Sequence, residues 1–309
     1  MPLTPLLSLS RKAWVKDLVM RFPVTRGVVS RFVAGEDLDE LIAVLGPLVA
    51  DGRTATVDYL GEDTTSPEQA DETTAEYLRL LQRLSEAGLC DRVEVSLKPT
   101  AIGQLLPGDG ERRALRNART ICARAQELGT TVTVDMEDHT TTDATLRLVR
   151  ELRVAYPWVG CVLQAMLRRT PDDIATMAGD GCRTRLCKGA YACPPDVAHQ
   201  GATAVTVAYR RNLALLMRLP GYPMVATHDP MMITLAEAFA DVARRGPGDY
   251  EHQMLYGIRT TEQRRLVATG HQVRVYVPYG TDWYGYFMRR LAERPANLLF
   301  FLRAMVSRR

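Results

Sequence analysis

The sequence lacks most of the features that betray a chemistry at first sight. Its six cysteines (Cys90, Cys122, Cys161, Cys182, Cys187 and Cys193) contain no CxxC spacing. That excludes a zinc ribbon or a dithiol redox motif, and thiols scattered through apolar runs fit reduced cysteines in a cytoplasmic chain. The five histidines (His139, His199, His228, His252 and His271) never stand at i,i+3 or i,i+4. No helix face therefore offers a metal pair, and no metal is expected. No run of about 18 apolar residues is present to cross a membrane as a helix. The opening MPLTPLLSLSRKAW has no basic segment before its short apolar run and does not read as a secretory signal. A net charge of +3 with no basic tract gives no reason to expect nucleic acid. There is no P-loop and no Ser–His–Asp set in its usual surroundings.

What is present is a rhythm. Strand-like runs at 54–60, 92–98, 131–137, 159–165, 182–190, 223–228, 250–257 and 272–278 alternate with helical patterns. The helices are expected over 67–89 (capped by Ser66), 111–128 (stopped at Gly129), 142–155 (capped from the TTTD run) and 171–178. Others follow over 200–218, 230–245 and 261–268, and a last one carries Arg289 and Arg290. Such alternation implies right-handed βαβ crossovers and a parallel sheet. Eight units in this length match a closed α/β barrel of the (β/α)8, TIM type. A doubly wound open sheet would carry a glycine fingerprint after its first strand, but the residues there are LGEDTTS. The expected division is an N-terminal helical extension over 1–52 and a catalytic barrel over 53–309.

In such barrels the chemistry sits where strands end and βα loops begin. Lys98 closes VEVSLK, Asp135 and Glu137 close TVTVDME, Gln164 closes VGCVLQ, and Arg185 and Lys188 bracket RLCKGAY. Thr227, His228 and Asp229 close MVATHD, Gln253 closes EHQ, and Tyr276 lies in VRVYVP. Any one of these has a mundane explanation. All of them at the same end of successive strands point to an active-site mouth, because buried polar groups are costly without partners or a ligand. The mouth is cationic, through Lys98, Arg185, Lys188, Arg289 and Arg290, relieved by Asp135 and Glu137. Tyr191, Tyr276, Tyr279, Tyr284 and Tyr286 are expected near it. A cationic pocket with neither nucleophile nor metal suggests an anion bound beside a cofactor that carries the chemistry.

RLCKGAY, VATHD, EHQMLYG and RVYVPYGTDWYGYFMRRLAERPAN, with VSLKPTAIG and VDMED between, resemble the proline dehydrogenase (proline oxidase) family in its short monofunctional bacterial form. The resemblance covers about 54 to 300. It implies a distorted barrel holding FAD without a Rossmann motif, and oxidation of L-proline to 1-pyrroline-5-carboxylate, the first step of proline catabolism. It also implies a quinone-type electron acceptor.

Residue by residue, it implies that Arg289, Arg290 and Lys98 hold the substrate carboxylate, with Glu293 fixing the arginine pair. Asp135 would sit over the pocket and pair with the arginine side, and Arg185 would lie close to flavin N5. Met136, Gln164, Lys188, Gly189, Ala190, Thr227 and His228 match flavin contacts. Tyr191, Leu255, Tyr276 and Tyr286 match the walls around the proline ring. Cys187 stands where an aliphatic residue is usual. Two other readings fit a basic barrel mouth: a methylenetetrahydrofolate reductase-like flavoprotein, or a non-catalytic anion-binding barrel. The apolar, basic-flanked NLLFFLRAMVSRR (297–309) suits either packing on the barrel or shallow membrane contact.

Overall fold

The computed structural model of the chain describes residues 29–61, 64–179 and 181–287. Its centre is a closed barrel in which eight parallel strands follow one another in sequence order. Helix α1 (Leu38–Ala50) leads into β1 (Thr54–Tyr59), α2 (Pro67–Glu86), β2 (Val93–Leu97), α3 (Gly110–Glu127) and β3 (Val132–Val134). Then come α4 (Thr142–Ala155), β4 (Gly160–Gln164), α5 (Thr170–Met177), β5 (Arg183–Cys187), α6 (Ala202–Arg218) and β6 (Tyr222–Ala226). Helix α7 (Pro230–Val242), β7 (Glu251–Leu255), α8 (Thr260–Ala268) and β8 (Val273–Tyr279) complete the circuit. β8 pairs with β1 along six residues and closes the barrel.

The strand sequences explain which face meets what. In β2, Val93, Val95 and Leu97 alternate with Glu94 and Ser96, yet every one of the five is buried. The apolar set faces the helices, because side chains alternate across a strand. The polar set faces the lumen, where Glu94 reaches Arg183 of β5, a strand that is not its neighbour. The helices bury matching stripes: Leu41, Leu45 and Leu48 on α1, and Tyr77, Leu80, Leu81 and Leu84 on α2. Ser66 caps α2 as expected, accepting from the Gln69 amide.

Two local expectations need correction. The N-cap of α4 is Thr141, within the TTTD run, but its side chain makes no cap hydrogen bond, and a 3-10 turn over His139–Thr141, capped by Asp138, precedes the helix. Strand β3 is only three residues long, Val132–Val134, although the Asp135 amide still donates to the Leu97 carbonyl (2.8 Å).

A second, smaller apolar cluster lies beside the barrel. Val29, Phe32, Val33 and Leu60 pack against Trp283, Tyr284, Tyr286 and Phe287. Two backbone hydrogen bonds, from Ala34 N to Pro278 O and from Gly280 N to Gly35 O, tie this segment to the end of β8. Gly257 is forced to be glycine here, since a Cβ would stand 1.6 Å from the Arg31 carbonyl oxygen. Residues 29–35 thus help to seat the chain just before Arg289 and Arg290, which themselves lie outside the described residues.

Candidate active site

A cavity of about 870 Å³ opens at the carboxyl ends of the strands. That lies within the range usual for small-molecule sites, about 300–1,000 Å³. Of the sixteen residues to which the resemblance assigns contact with proline or flavin or a catalytic role, fourteen are described, and all line it: Lys98, Asp135, Met136, Gln164, Arg185, Lys188, Gly189, Ala190, Tyr191, Thr227, His228, Leu255, Tyr276 and Tyr286. The other two, Arg289 and Arg290, lie outside the described residues, as does Glu293.

Strand parity places the central groups. Arg185 is the middle residue of β5 and projects inward, 5% exposed. Its Nε donates to Gln253 Oε1 (2.5 Å), and its Nη1 to Asp135 Oδ1 (2.6 Å) and Ser96 Oγ (3.4 Å). Burial alone would disfavour the cation, but attraction to Asp135 and Tyr276 raises its pKa. The Tyr276 hydroxyl donates to Asp135 Oδ2 (2.7 Å), and the Arg185 guanidinium stands 5.2 Å from the centre of the Tyr276 ring. Burial and the carboxylates of Asp135 and Asp58 keep that phenol protonated, its pKa well above the ordinary tyrosine value. Asp135 is therefore a two-sided acceptor whose partners are Arg185 and Tyr276. Any pairing with the C-terminal arginines falls outside the described residues.

The remaining cations are also held. Lys98 forms a buried ion pair with Asp58, at the end of β1. Lys188 Nζ reaches Asp229 Oδ2 and Thr206 Oγ1, each at 3.1 Å. Burial would raise the Asp229 carboxyl, yet Lys188 holds it below the usual carboxylate range. His228 accepts the Leu255 amide at Nε2 (2.9 Å), which makes that nitrogen an acceptor and fixes the ring. Glu137 accepts from the Thr100 amide and hydroxyl, shaping the loop after β2. Burial pushes the Cys187 thiol up to about 11, so it lines the cavity as a neutral packing group.

Two buried polar atoms at this level have no hydrogen-bond partner: Gln164 Oε1 and Arg185 Nη2. Gln164 spends its Nε2 on the Glu137 carbonyl (2.7 Å), leaving the acceptor oxygen over. Gly189 adds a close backbone approach, at φ +100°, where a Cβ would meet the Met166 sulfur at 2.6 Å.

The aromatic expectation divides in two. Tyr191, Tyr276 and Tyr286 line the cavity, but Tyr279 and Tyr284 do not. Tyr279 is an odd number of residues from Tyr276 and so faces outward, against Tyr59 and Glu76. Tyr284 packs in the smaller apolar cluster beside Trp283. Sequence reasoning missed Asp58 and Arg259 on the cavity wall. Asp58 was legible as the inward residue of TATVDYL. Arg259 adopts a left-handed backbone (φ +52°) that no motif announces. Among the described residues no group of three or more metal-ligating side chains converges.

Comparison with known proteins now adds what geometry cannot. The sequence model of the family described as proline dehydrogenase matches residues 43–303. A proline dehydrogenase of Deinococcus radiodurans is 39% identical over 282 residues, covering 91% of this chain and 90% of that one. Proline dehydrogenase 1 of Bacillus subtilis strain 168 is 37% identical, with 92% of each chain covered. Among solved structures, proline utilization A from Bdellovibrio bacteriovorus superposes with a TM-score of 0.78 at 24% identity. That match covers 86% of this chain and 32% of the longer one, and it bears on the fold alone. With a family match running through all eight strands and near-full-length relatives more than a third identical, this chain belongs to the proline dehydrogenase family.

Proposed function

We propose that this chain oxidises L-proline to 1-pyrroline-5-carboxylate, the opening step of proline catabolism, with FAD held in the cavity over 53–309 behind a helical extension over 1–52. The observation that carries the reading is the cavity's chemistry. A buried arginine and glutamine each keep an atom without a hydrogen-bond partner beside a tyrosine-walled space whose described wall carries four cations, Lys98, Arg185, Lys188 and Arg259, against four carboxylates, Asp58, Asp135, Glu137 and Asp229.

The residues fit a flavin. Gln164 Oε1 accepts no hydrogen bond, Arg185 Nη2 donates none and only approaches Glu94 at 3.9 Å, and Gly189 lines the cavity without a side chain. Met136, Lys188, Ala190, Thr227 and His228 line the same space and complete the set that would hold it. When bound, FAD supplies the acceptor for the hydride that leaves the carbon beside the ring nitrogen.

The chain's own residues do the rest. Lys98, with Arg289 and Arg290, holds the proline carboxylate; charge-assisted bonds of this kind contribute about 1.5–3 kcal/mol each. Tyr191, Leu255, Tyr276 and Tyr286 enclose the apolar ring and exclude water from the reacting carbon. Asp135 stands between Arg185 and Tyr276 and keeps both in place for the reaction. Fixing the substrate this way converts binding energy into rate, by about 7–11 kcal/mol in ideal cases. Arg289 and Arg290, added to a wall whose described charges balance, favour the uncharged amine that hydride loss requires, so kcat/KM rises from pH 6 towards about 8–9.

Electrons then pass to a quinone-type acceptor. The stretch 297–309, outside the described residues, is the candidate for peripheral contact with a membrane carrying it, and among the described residues no helix is long and apolar enough to cross one. The test is anaerobic addition of L-proline to the purified yellow protein. Bleaching of the flavin bands, with FAD released on denaturation, supports the reading; a flavin that stays oxidised overturns it.

A further inference from the structure

Beneath the mouth the barrel lumen is polar, and one chain of contacts links the two levels. Glu251 and Gln253 are alternate residues of β7 and both project inward, 2% and 4% exposed. Arg274 of β8 donates from Nε to Glu251 Oε1 (2.8 Å). The same oxygen accepts from Gln253 Nε2, and Gln253 Oε1 accepts from Arg185 Nε. Arg185 then donates to Asp135, which also receives the Tyr276 hydroxyl. The path runs from the floor of the lumen to the site.

The polarity of this path is forced. An ionised carboxylate can only accept, and a guanidinium can only donate. An amide placed between them has one workable orientation, NH2 towards Glu251 and oxygen towards Arg185. A leucine or methionine at 253 could fill the space but could not tell the two neighbours apart.

Gln253 matters because of what Arg185 would do without it. The guanidinium is anchored at Asp135 and Ser96 through Nη1 and at Gln253 through Nε, with a looser approach of Nη2 to Glu94 at 3.9 Å. The Ser96 contact is long, at 3.4 Å. Without Gln253, Arg185 keeps one short bond to Asp135 and is free to swing about it. The guanidinium, which lines the cavity, then loses its fixed direction.

We infer that Gln253, oriented by Glu251, is a positioning residue for this reaction, acting through the aim it gives Arg185. This rests on the proline-oxidation reading.

The experiment compares three full-length holoproteins with the parent: Gln253→Leu, Gln253→Glu, and the double exchange Gln253→Glu with Glu251→Gln. For Gln253→Leu the expected result is a kcat lower by about ten- to a hundredfold, the scale of a small misplacement. KM for proline should move little, and the flavin absorption bands should shift before any proline is added. Gln253→Glu places two carboxylates together, so one must take up a proton. Its kcat profile should gain an inflection with pH that the parent lacks. The double exchange restores one amide and one carboxylate on the path and should recover kcat and remove the inflection.

If Gln253→Leu does not fold, the two isosteric proteins decide the matter alone. Parental kcat and parental flavin bands in Gln253→Leu overturn the inference, as does a Gln253→Glu protein with no new inflection. A parent protein that proline does not reduce would instead strike the proline reading itself, so the two failures are separable.

Discussion

The lumen holds buried charges at two levels, and they differ in what they leave over. On the floor, Glu94 is 1% exposed and uses both carboxylate oxygens. Oε1 accepts from Thr56 (2.7 Å) and Thr133 (3.1 Å), and Oε2 from Thr131 (2.7 Å) and Arg183 (2.6 Å). Burial would favour the protonated acid, yet Arg183 and Arg274 hold its carboxyl well below the usual range. At the mouth, Arg185 and Gln164 are as deeply buried, but Gln164 Oε1 accepts no hydrogen bond and Arg185 Nη2 donates none, reaching Glu94 only at 3.9 Å. Burial and charge are common to both levels, so neither marks function here. The difference lies in unspent hydrogen-bonding capacity, which costs stability unless a ligand claims it.

That contrast can be broken at the floor first. Glu94→Gln leaves Arg183 short of its carboxylate in a closed, polar lumen. Removing one partner of such a pair costs about 3–5 kcal/mol. Urea unfolding should show that loss, while the folded fraction still binds proline with a parental KM. A stability equal to the parent's would mean the floor is not the structural layer described.

A buried titratable group outside both levels sharpens the point. His252 lies between Glu251 and Gln253 on β7 and so faces outward, packed against Tyr250 and His271. Burial, with His271 and Arg265 adding to it, holds its pKa down to about 4. The unfolded chain, with an ordinary histidine near 6.5, binds more protons between those values. Its contribution is therefore complete above pH 6.5 and is lost as pH falls towards 4, on the order of 3 kcal/mol in all. His252→Phe should flatten the fall in unfolding free energy between pH 7 and 4.5. An identical fall in parent and variant would show that His252 is not the group responsible.

The smallest effect is expected at the clamp. Arg289→Met and Arg290→Met should each raise the proline KM by an amount matching about 1.5–3 kcal/mol, with flavin content unchanged. An unchanged KM in both would remove them from the carboxylate site.

The fold was legible because period-2 and period-3.6 patterns alternate cleanly, and all eight strands fall where those patterns lie. The site was legible because polar residues at strand ends share one end of the barrel. The floor was not, since only strand ends were weighed. In β2, β5, β7 and β8 the polar inward set begins two or more residues earlier, at Glu94, Arg183, Glu251 and Arg274. Tyr279 shows the same lesson in reverse, since parity sends it outward although its position near the end of β8 suggested the mouth. The Lys98–Asp58 pair could not be foreseen from spacing, because it joins adjacent strands 40 residues apart.

The most direct test uses two arginines of one strand. Arg183 and Arg185 both project from β5 into the same lumen, one to the floor and one to the mouth. The quantity to measure is the rate of anaerobic flavin reduction at saturating L-proline in Arg183→Met and Arg185→Met proteins, beside their unfolding free energies. The account predicts that Arg183→Met loses stability but reduces its flavin at close to the parental rate. Arg185→Met should instead fall by about 10²–10³ in rate, the scale of losing one preorganised charged donor. Equal rates in the two variants, or a larger loss in Arg183→Met, would contradict the division between a closed floor and an open, reactive mouth.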